Sequence, residues 1–217
     1  MKHILILLTF ICSLPVFGQH HFIGFRGGVS LTNVHFSNNL IEGDFQRRFH
    51  GGISYEYRIN KKFHLMCDLM YDQKGYSTEF RYTDVNGNPT DSVTARHNFE
   101  YISLPIKTGY RIGNQLSGFL NLGAVPAVLT NSTVLVPAVP GISEEERINA
   151  TEDLRRFDLV GLVEIGGDYT LHDRFVIFAS GTYTHSLISY VLGPGFEARH
   201  YGVMLSLGVR YALGGKK

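Results

Sequence analysis

The chain has 217 residues, a formal charge of +1 and 44% hydrophobic residues, which is material for one domain or somewhat more. Near-neutral charge without a long basic run excludes a polyanion groove, so no nucleic-acid partner is expected. Gly 24, Tyr 12 and Phe 15 with no Trp lean towards an all-β protein.

Met1 to Gly18 reads as a secretory signal: Lys2 and His3 form a basic start, Ile4 to Leu14 an apolar core, and Val16-Phe17-Gly18 a cleavage site. The apolar run is shorter than the roughly 20 residues a membrane helix needs. Phe10-Ile11 precede Cys12, where a lipobox would carry a small residue, so lipidation is not expected. The predicted division is therefore a signal peptide at 1–18 and one barrel domain at 19–217. With the signal removed, Cys67 is the remaining thiol and no intramolecular disulfide can form.

Phe22 to Asn33 alternates, with Ile23, Phe25, Val29 and Leu31 on one face and Arg26, Gly28 and Ser30 on the other. Val34 to Gln46 is expected to be a polar connection. Two further alternating runs follow, joined at Asn60-Lys61-Lys62. In the first, Phe49, Ile53, Tyr55, Tyr57 and Ile59 oppose His50, Ser54, Glu56 and Arg58. In the second, Phe63, Leu65, Cys67, Leu69 and Tyr71 oppose His64, Met66, Asp68 and Met70. Strands set successive side chains on opposite faces, so each run has an oily and a polar face.

The third strand continues through Gly75 to Asp84, turns at Asn86-Gly87-Asn88-Pro89 and returns from Val93. These outer parts read as polar on both faces and are placed in water. The returning strand ends at Ile112, with Lys107 and Arg111 on its polar face. Leu116 to Leu129 is next, with Leu116, Leu120, Leu122 and Ala124 apolar and Pro126 expected to weaken the pairing. Thr130 to Leu154 is the longest connection, with a short helix expected after an N-cap at Ser143. Arg155 to Thr170 sets Phe157, Leu159, Val163, Ile165 and Tyr169 against Arg156, Asp158, Glu164 and Asp168. Phe175 to Thr184 has an ambiguous facing, because Phe175 and Phe178 fall on opposite sides. His200 to Leu213 closes the series, with Arg210 on its polar face.

That makes eight strands. Joins at 60–62, 113–115 and 171–173 are tight, while those at 34–46, 85–92, 130–154 and 186–198 are longer. An even strand number with short turns at one end and long loops at the other predicts an eight-stranded antiparallel up-and-down transmembrane β-barrel, with periplasmic turns and extracellular loops. Tyr57, Phe63, Tyr110, Tyr169, Phe175 and Tyr211 cluster near the tight turns, as a periplasmic interface girdle would. Tyr and Phe are also simply good strand formers. The end of the last strand, Ser206 to Leu213, is similar to the terminal signal read by the outer-membrane assembly machinery, although Gly214-Gly215-Lys216-Lys217 trails it.

Several stretches together resemble one family. They are Gly24-Phe25-Arg26-Gly27-Gly28-Val29, Phe49-His50-Gly51-Gly52, Asp68-Leu69-Met70-Tyr71-Asp72-Gln73-Lys74-Gly75, Tyr101-Ile102-Ser103-Leu104-Pro105, Phe157-Asp158-Leu159-Val160-Gly161 and the terminal strand. In this order they resemble the small outer-membrane β-barrel proteins of Bacteroidetes called PorT-like, which usually carry Glu where this chain has Asp68. The resemblance implies an outer-membrane barrel and, through one member, a possible link to protein secretion and gliding.

The polar faces carry Arg26, Glu56, Arg58, Asp68, Asp72, Lys107, Arg111, Arg156, Asp158, Glu164, Asp168 and Arg210. An eight-stranded barrel is only wide enough inside for side chains, and buried charges must be paired. A salt-bridged filling that closes the lumen is therefore expected, with an ion or proton path as the other reading. His50 and His64 are expected in the lumen on paired strands, but no Cys or carboxylate stands at a metal-ligand spacing. No metal, cofactor or catalytic group is expected. His185-Ser186 are sequence neighbours and so point to opposite faces, which argues against a shared acyl-transfer site. The protruding hairpin at 75–100 could pair its backbone with a protein partner. The expected role is that of a monomeric, non-enzymatic barrel in outer-membrane lipid. Its alternatives are a lipid A or phospholipid-modifying barrel enzyme and a soluble lipocalin-like binder.

Overall fold

In the computed structural model, residues 20–37, 43–83, 89–138, 144–171, 174–192 and 195–213 are described. The signal peptide expected at 1–18 and the tail at 214–217 lie outside them. The strands are β1 (His21–Phe36), β2 (Asp44–Arg58), β3 (Phe63–Thr83), β4 (Pro89–Ser103) and β5 (Ile106–Gly113). They continue with β6 (Leu116–Val136), β7 (Glu146–Asn149), β8 (Phe157–Leu171), β9 (Phe175–Ser186) and β10 (Ala198–Leu213).

Each strand pairs antiparallel with its neighbours, and β1 pairs with both β2 and β10, so the sheet closes on itself. β4 and β5 are two pieces of one wall strand, since both pair with β3 and with β6. β7 is an extra strand added to the far end of β6. Discounting β7 and joining β4 to β5 leaves eight staves, the number the alternation predicts.

The outside of this barrel is apolar. Phe25 is 71%, Leu116 72% and Leu207 70% exposed, and they belong to a belt that runs round every stave. Soluble monomers rarely expose an apolar patch beyond about 300–600 Å². On β1 the belt runs from Ile23 to Leu31, and on β4 and β5 from Ile102 to Ile112. Those lengths match the roughly 9–11 tilted residues that cross a hydrocarbon core. Inside the same staves sit Arg210, Glu164 and Asn121, fully buried.

The turns are tight at one end. Asn60 Oδ1 accepts from the backbone N–H groups of Lys62 and Phe63, each at 2.8 Å, a local bond that fixes the reversal. Gly113 opens the next turn with φ of +119°, a conformation costly to any residue with a Cβ.

At the long-loop end the structure departs from several sequence expectations. Val34 and Phe36 continue β1 and are buried, and β2 already begins at Asp44, so the expected connection is strand at both of its ends. Tyr76, Ala95 and Phe99 are buried too, so the protruding hairpin is not polar on both faces. One physical cause explains both. Beyond the belt the outer face meets water and the inner face meets packed side chains, so the alternation inverts along a single strand.

The helix expected after Ser143 is absent from the described residues: Glu146–Asn149 is strand β7, and Ser143 itself lies outside them. Pro126 does not interrupt β6. The break falls on the facing stave at Leu104-Pro105, where the Leu104 N–H donates to the Pro126 carbonyl at 2.9 Å. Phe175 faces outward and Phe178 inward. The inward ring lies where a Cβ on Gly208 would come within 2.4 Å of it, so glycine makes the room.

Candidate functional site: a closed lumen

Of the twelve charged positions singled out by the sequence, alternation places these nine inside the barrel as buried groups: Arg26, Glu56, Asp68, Lys107, Arg111, Asp158, Glu164, Asp168 and Arg210. Arg58 is half-buried at the short-turn mouth. Asp72 is also buried, whereas Arg156 is exposed just before β8, a correction to its lumenal placement. The wall begins at Phe157, so Arg156 stays outside it.

These charges form three levels. Midway along the axis, Arg26 bonds Asp68 at 3.1 Å and Glu164 at 2.9 Å, and Lys107 bonds the same two carboxylates at 2.7 and 2.8 Å. Two cations and two anions thus close a ring across the lumen. Ser180 and Ser206 take further Arg26 N–H groups at 3.2 and 3.1 Å. Nearer the short turns, Glu56 accepts from Arg58 at 2.6 Å and from Arg210, and Asp168 accepts from Arg111. Arg58 lies 3.8 Å from the Phe22 ring centroid and Arg210 3.9 Å from that of Phe178. Aromatic faces so cover guanidinium surface that carboxylates do not reach. Above the central ring, Asp158 accepts from Lys74 at 2.9 Å and from Ser186 at 2.8 Å, and Ser103 donates to Asp72.

Pairing is what lets these groups stay charged away from water. A buried ion pair adds little net stability, but a buried charge stripped of its partner is costly. Between the central ring and the upper level a cavity of about 50 Å³ is lined by Asp68, Asp72, Val125, Leu162 and Thr182. A cavity of that size is large enough to hold water, which needs about 10–15 Å³ of such space.

The long-loop mouth holds a feature that sequence reasoning missed. Tyr76, Phe99, Tyr101 and Tyr190 pack with Val34, Phe36 and Leu129 into an apolar cap. Tyr190 comes from the β9–β10 connection, which is tied down by a bridge between Leu154 and Val191. His200 is sealed in the cap, with its ring 4.6 Å from both Tyr190 and Phe99. His97 stacks on Tyr76 at 4.3 Å and 4°. The available signal was the alternation of Tyr76 with Thr78 and of His97 with Phe99 and Tyr101, read with its polarity reversed.

The other singled-out residues separate. His50 pairs with Asp72 and His64 with Arg58 in the β2–β3 register, at opposite ends of the hairpin, so the two imidazoles do not meet. His50 bonds Ser30 and Ser206, each at 2.8 Å, and His64 bonds Asn121 at 2.8 Å. Among the described residues no cluster of three or more His, Cys, Asp or Glu could hold a metal ion. Ser186 points inward to Asp158, while His185 lies on the outer side of β9. Cys67 takes the outward side of β3 and is half-buried.

The six aromatics near the tight turns all stand on the outer face. Phe63 meets Tyr110 at 5.2 Å and Phe175 meets Tyr211 at 5.0 Å between ring centroids. The Tyr169 hydroxyl accepts from Gln115 at 3.0 Å, and the Tyr57 ring lies 4.9 Å from that of His21.

The family model described as outer membrane protein beta-barrel domain matches residues 17–191. The chain belongs to that family. It is an outer-membrane β-barrel, with its tight turns periplasmic and its long loops extracellular.

Among solved structures it is similar to Ail, the attachment invasion locus protein of Yersinia pestis. That match has 17% identity and a TM-score of 0.43, over 88% of this chain and 99% of that one. It is also similar to Neisserial surface protein A, with 14% identity and a TM-score of 0.45, over 89% and 97% of the two chains. OprG from Pseudomonas aeruginosa matches with 11% identity and a TM-score of 0.49, over 90% and 97%. No curated protein sequence matches the chain.

Proposed function

We propose that this protein is a non-enzymatic, non-conducting barrel that anchors an extracellular interaction surface in the outer membrane. The observation that carries the proposal is the double closure of the lumen, by the Arg26–Asp68–Lys107–Glu164 ring and by the aromatic cap. Meanwhile β3, β4 and β6 continue past the belt and gain β7, so a sheet stands in water above the membrane. Such a sheet offers backbone groups at its edges for strand addition by a partner.

The protein acts as a monomer in outer-membrane lipid, with β10 serving both as the closing stave against β1 and as the signal for assembly. The aromatics Tyr57, Phe63, Tyr110, Tyr169, Phe175 and Tyr211 form its periplasmic girdle. A narrower form of the proposal places it beside a secretion machine. The ordered motifs shared with PorT-like barrels, from Gly24–Val29 to Phe157–Gly161, support that form. A barrel hydrolase is disfavoured, because Ser186 and His185 stand on opposite sides of the wall.

The test is a photo-crosslinking side chain placed at Phe80, an exposed position on the hairpin, in living cells. A discrete protein adduct formed from Phe80, and not from the lipid-facing Leu207, supports the proposal. Absence of any adduct from Phe80 contradicts it.

A further inference from the structure

On the outer wall, the row Tyr71, Ile102 and Val128 is the last of the apolar belt across β3, β4 and β6. The next outward row in register is Gln73, Glu100 and Asn131. Directly above the hydrocarbon, these residues and Asn98 line a pocket of about 160 Å³ into which Arg48 and Arg147 also face. The height is that of lipid headgroups.

The charge of this pocket is unbalanced. Its Lys74 is already neutralised by Asp158 at 2.9 Å, which leaves two guanidiniums against one carboxylate, Glu100. Among the described residues neither Arg48 nor Arg147 has a salt-bridge partner. Arg48 donates one amino group to Gln46 and Asn98, while its Nε is buried without a partner. Arg96 is close enough to repel Arg48, and it shares an adjoining hollow with Glu145. Unpaired guanidinium forks suit a phosphate oxygen pair, and the three carboxamides of Gln73, Asn98 and Asn131 suit phosphate oxygens or sugar hydroxyls.

We propose that this pocket binds the phosphate of an outer-leaflet glycolipid headgroup, held between Arg48 and Arg147 with the acyl chains lying against Tyr71, Ile102 and Val128. The lipid then secures β2, β4 and β7 at one point of the rim, at the base of the extracellular sheet.

The test uses the full chain in detergent micelles, titrated with bisphosphorylated lipid A and with the same lipid after dephosphorylation. Wild type should bind the phosphorylated form roughly tenfold more tightly, as expected for one charge-assisted hydrogen-bonding group. R48Q/R147Q should lose that preference while keeping its heat-dependent shift on a detergent gel. If the half-buried Arg48 proves necessary for folding, R147Q alone, at an exposed position, should still lower the preference. Equal binding of the two lipids by wild type would overturn the proposal, as would a preference that survives in R147Q and in the double variant. Displacement of the lipid by an equal concentration of inorganic phosphate would also overturn it, marking a site for free anions.

Discussion

Arg26 Nη2 and Glu164 Oε1, 138 residues apart in sequence, meet at 2.9 Å across the lumen between β1 and β8. β9 and β10 separate those staves along the wall, so the contact crosses the interior rather than following the sheet. Glu164 also binds Lys107 at 2.8 Å, so one carboxylate holds two cations. Glu164→Ala strips a partner from both and should lower the free energy of unfolding by about 3–5 kcal/mol. Urea titration in phospholipid vesicles measures this directly. A loss below about 1 kcal/mol, the range of exposed pairs, would mean that water reaches the ring.

Leu207 lies near the middle of β10 and is 70% exposed. On a water-facing wall its replacement by Arg would change stability by no more than about 0.5 kcal/mol. On a lipid-facing wall at mid-depth, Leu207→Arg should cost about 2–4 kcal/mol. The same titration distinguishes the two, with Glu79→Arg on the extracellular extension as the near-neutral control.

His97 lies above the span, in the extracellular part of β4, stacked on Tyr76. Burial pushes its imidazole down from 6.5 to about 4. The unfolded cap binds a proton more readily than the folded cap, so this group's contribution is complete above about pH 6.5 and is lost as pH falls towards about 4. Acidification over that window should speed amide exchange around Tyr76 and Phe99 while the transmembrane staves stay protected. His97→Phe should weaken the pH dependence and leave the part that the buried His200 contributes. An unchanged pH profile in that variant would show that His97 is not a titrating group.

The transmembrane half of this fold was legible in the chain because lipid and a packed lumen impose opposite demands on alternate residues. Arg26 between Phe25 and Gly27, or Asp68 between Cys67 and Leu69, state their own facing. Above the rim the rule reverses, and a fixed polarity assignment turned Val34, Phe36 and Tyr76 into loop or surface. The break at Pro105 was hidden for another reason. Pro126 looks equally disruptive, and only the register decides which stave yields. Individual ion pairs were not readable either, since Arg26 could have met any of several carboxylates until shear set its height against Asp68 and Glu164. The room for Phe178 depended on Gly208, thirty residues later on the neighbouring stave.

Closure of this outer-membrane barrel is the property on which its proposed role depends. Purified, heat-modifiable protein in planar bilayers at moderate salt measures that most directly. The ion ring and the aromatic cap together predict a baseline free of stable unitary steps, in wild type and in His97→Phe. Reproducible long-lived conductance steps from wild-type protein would contradict it.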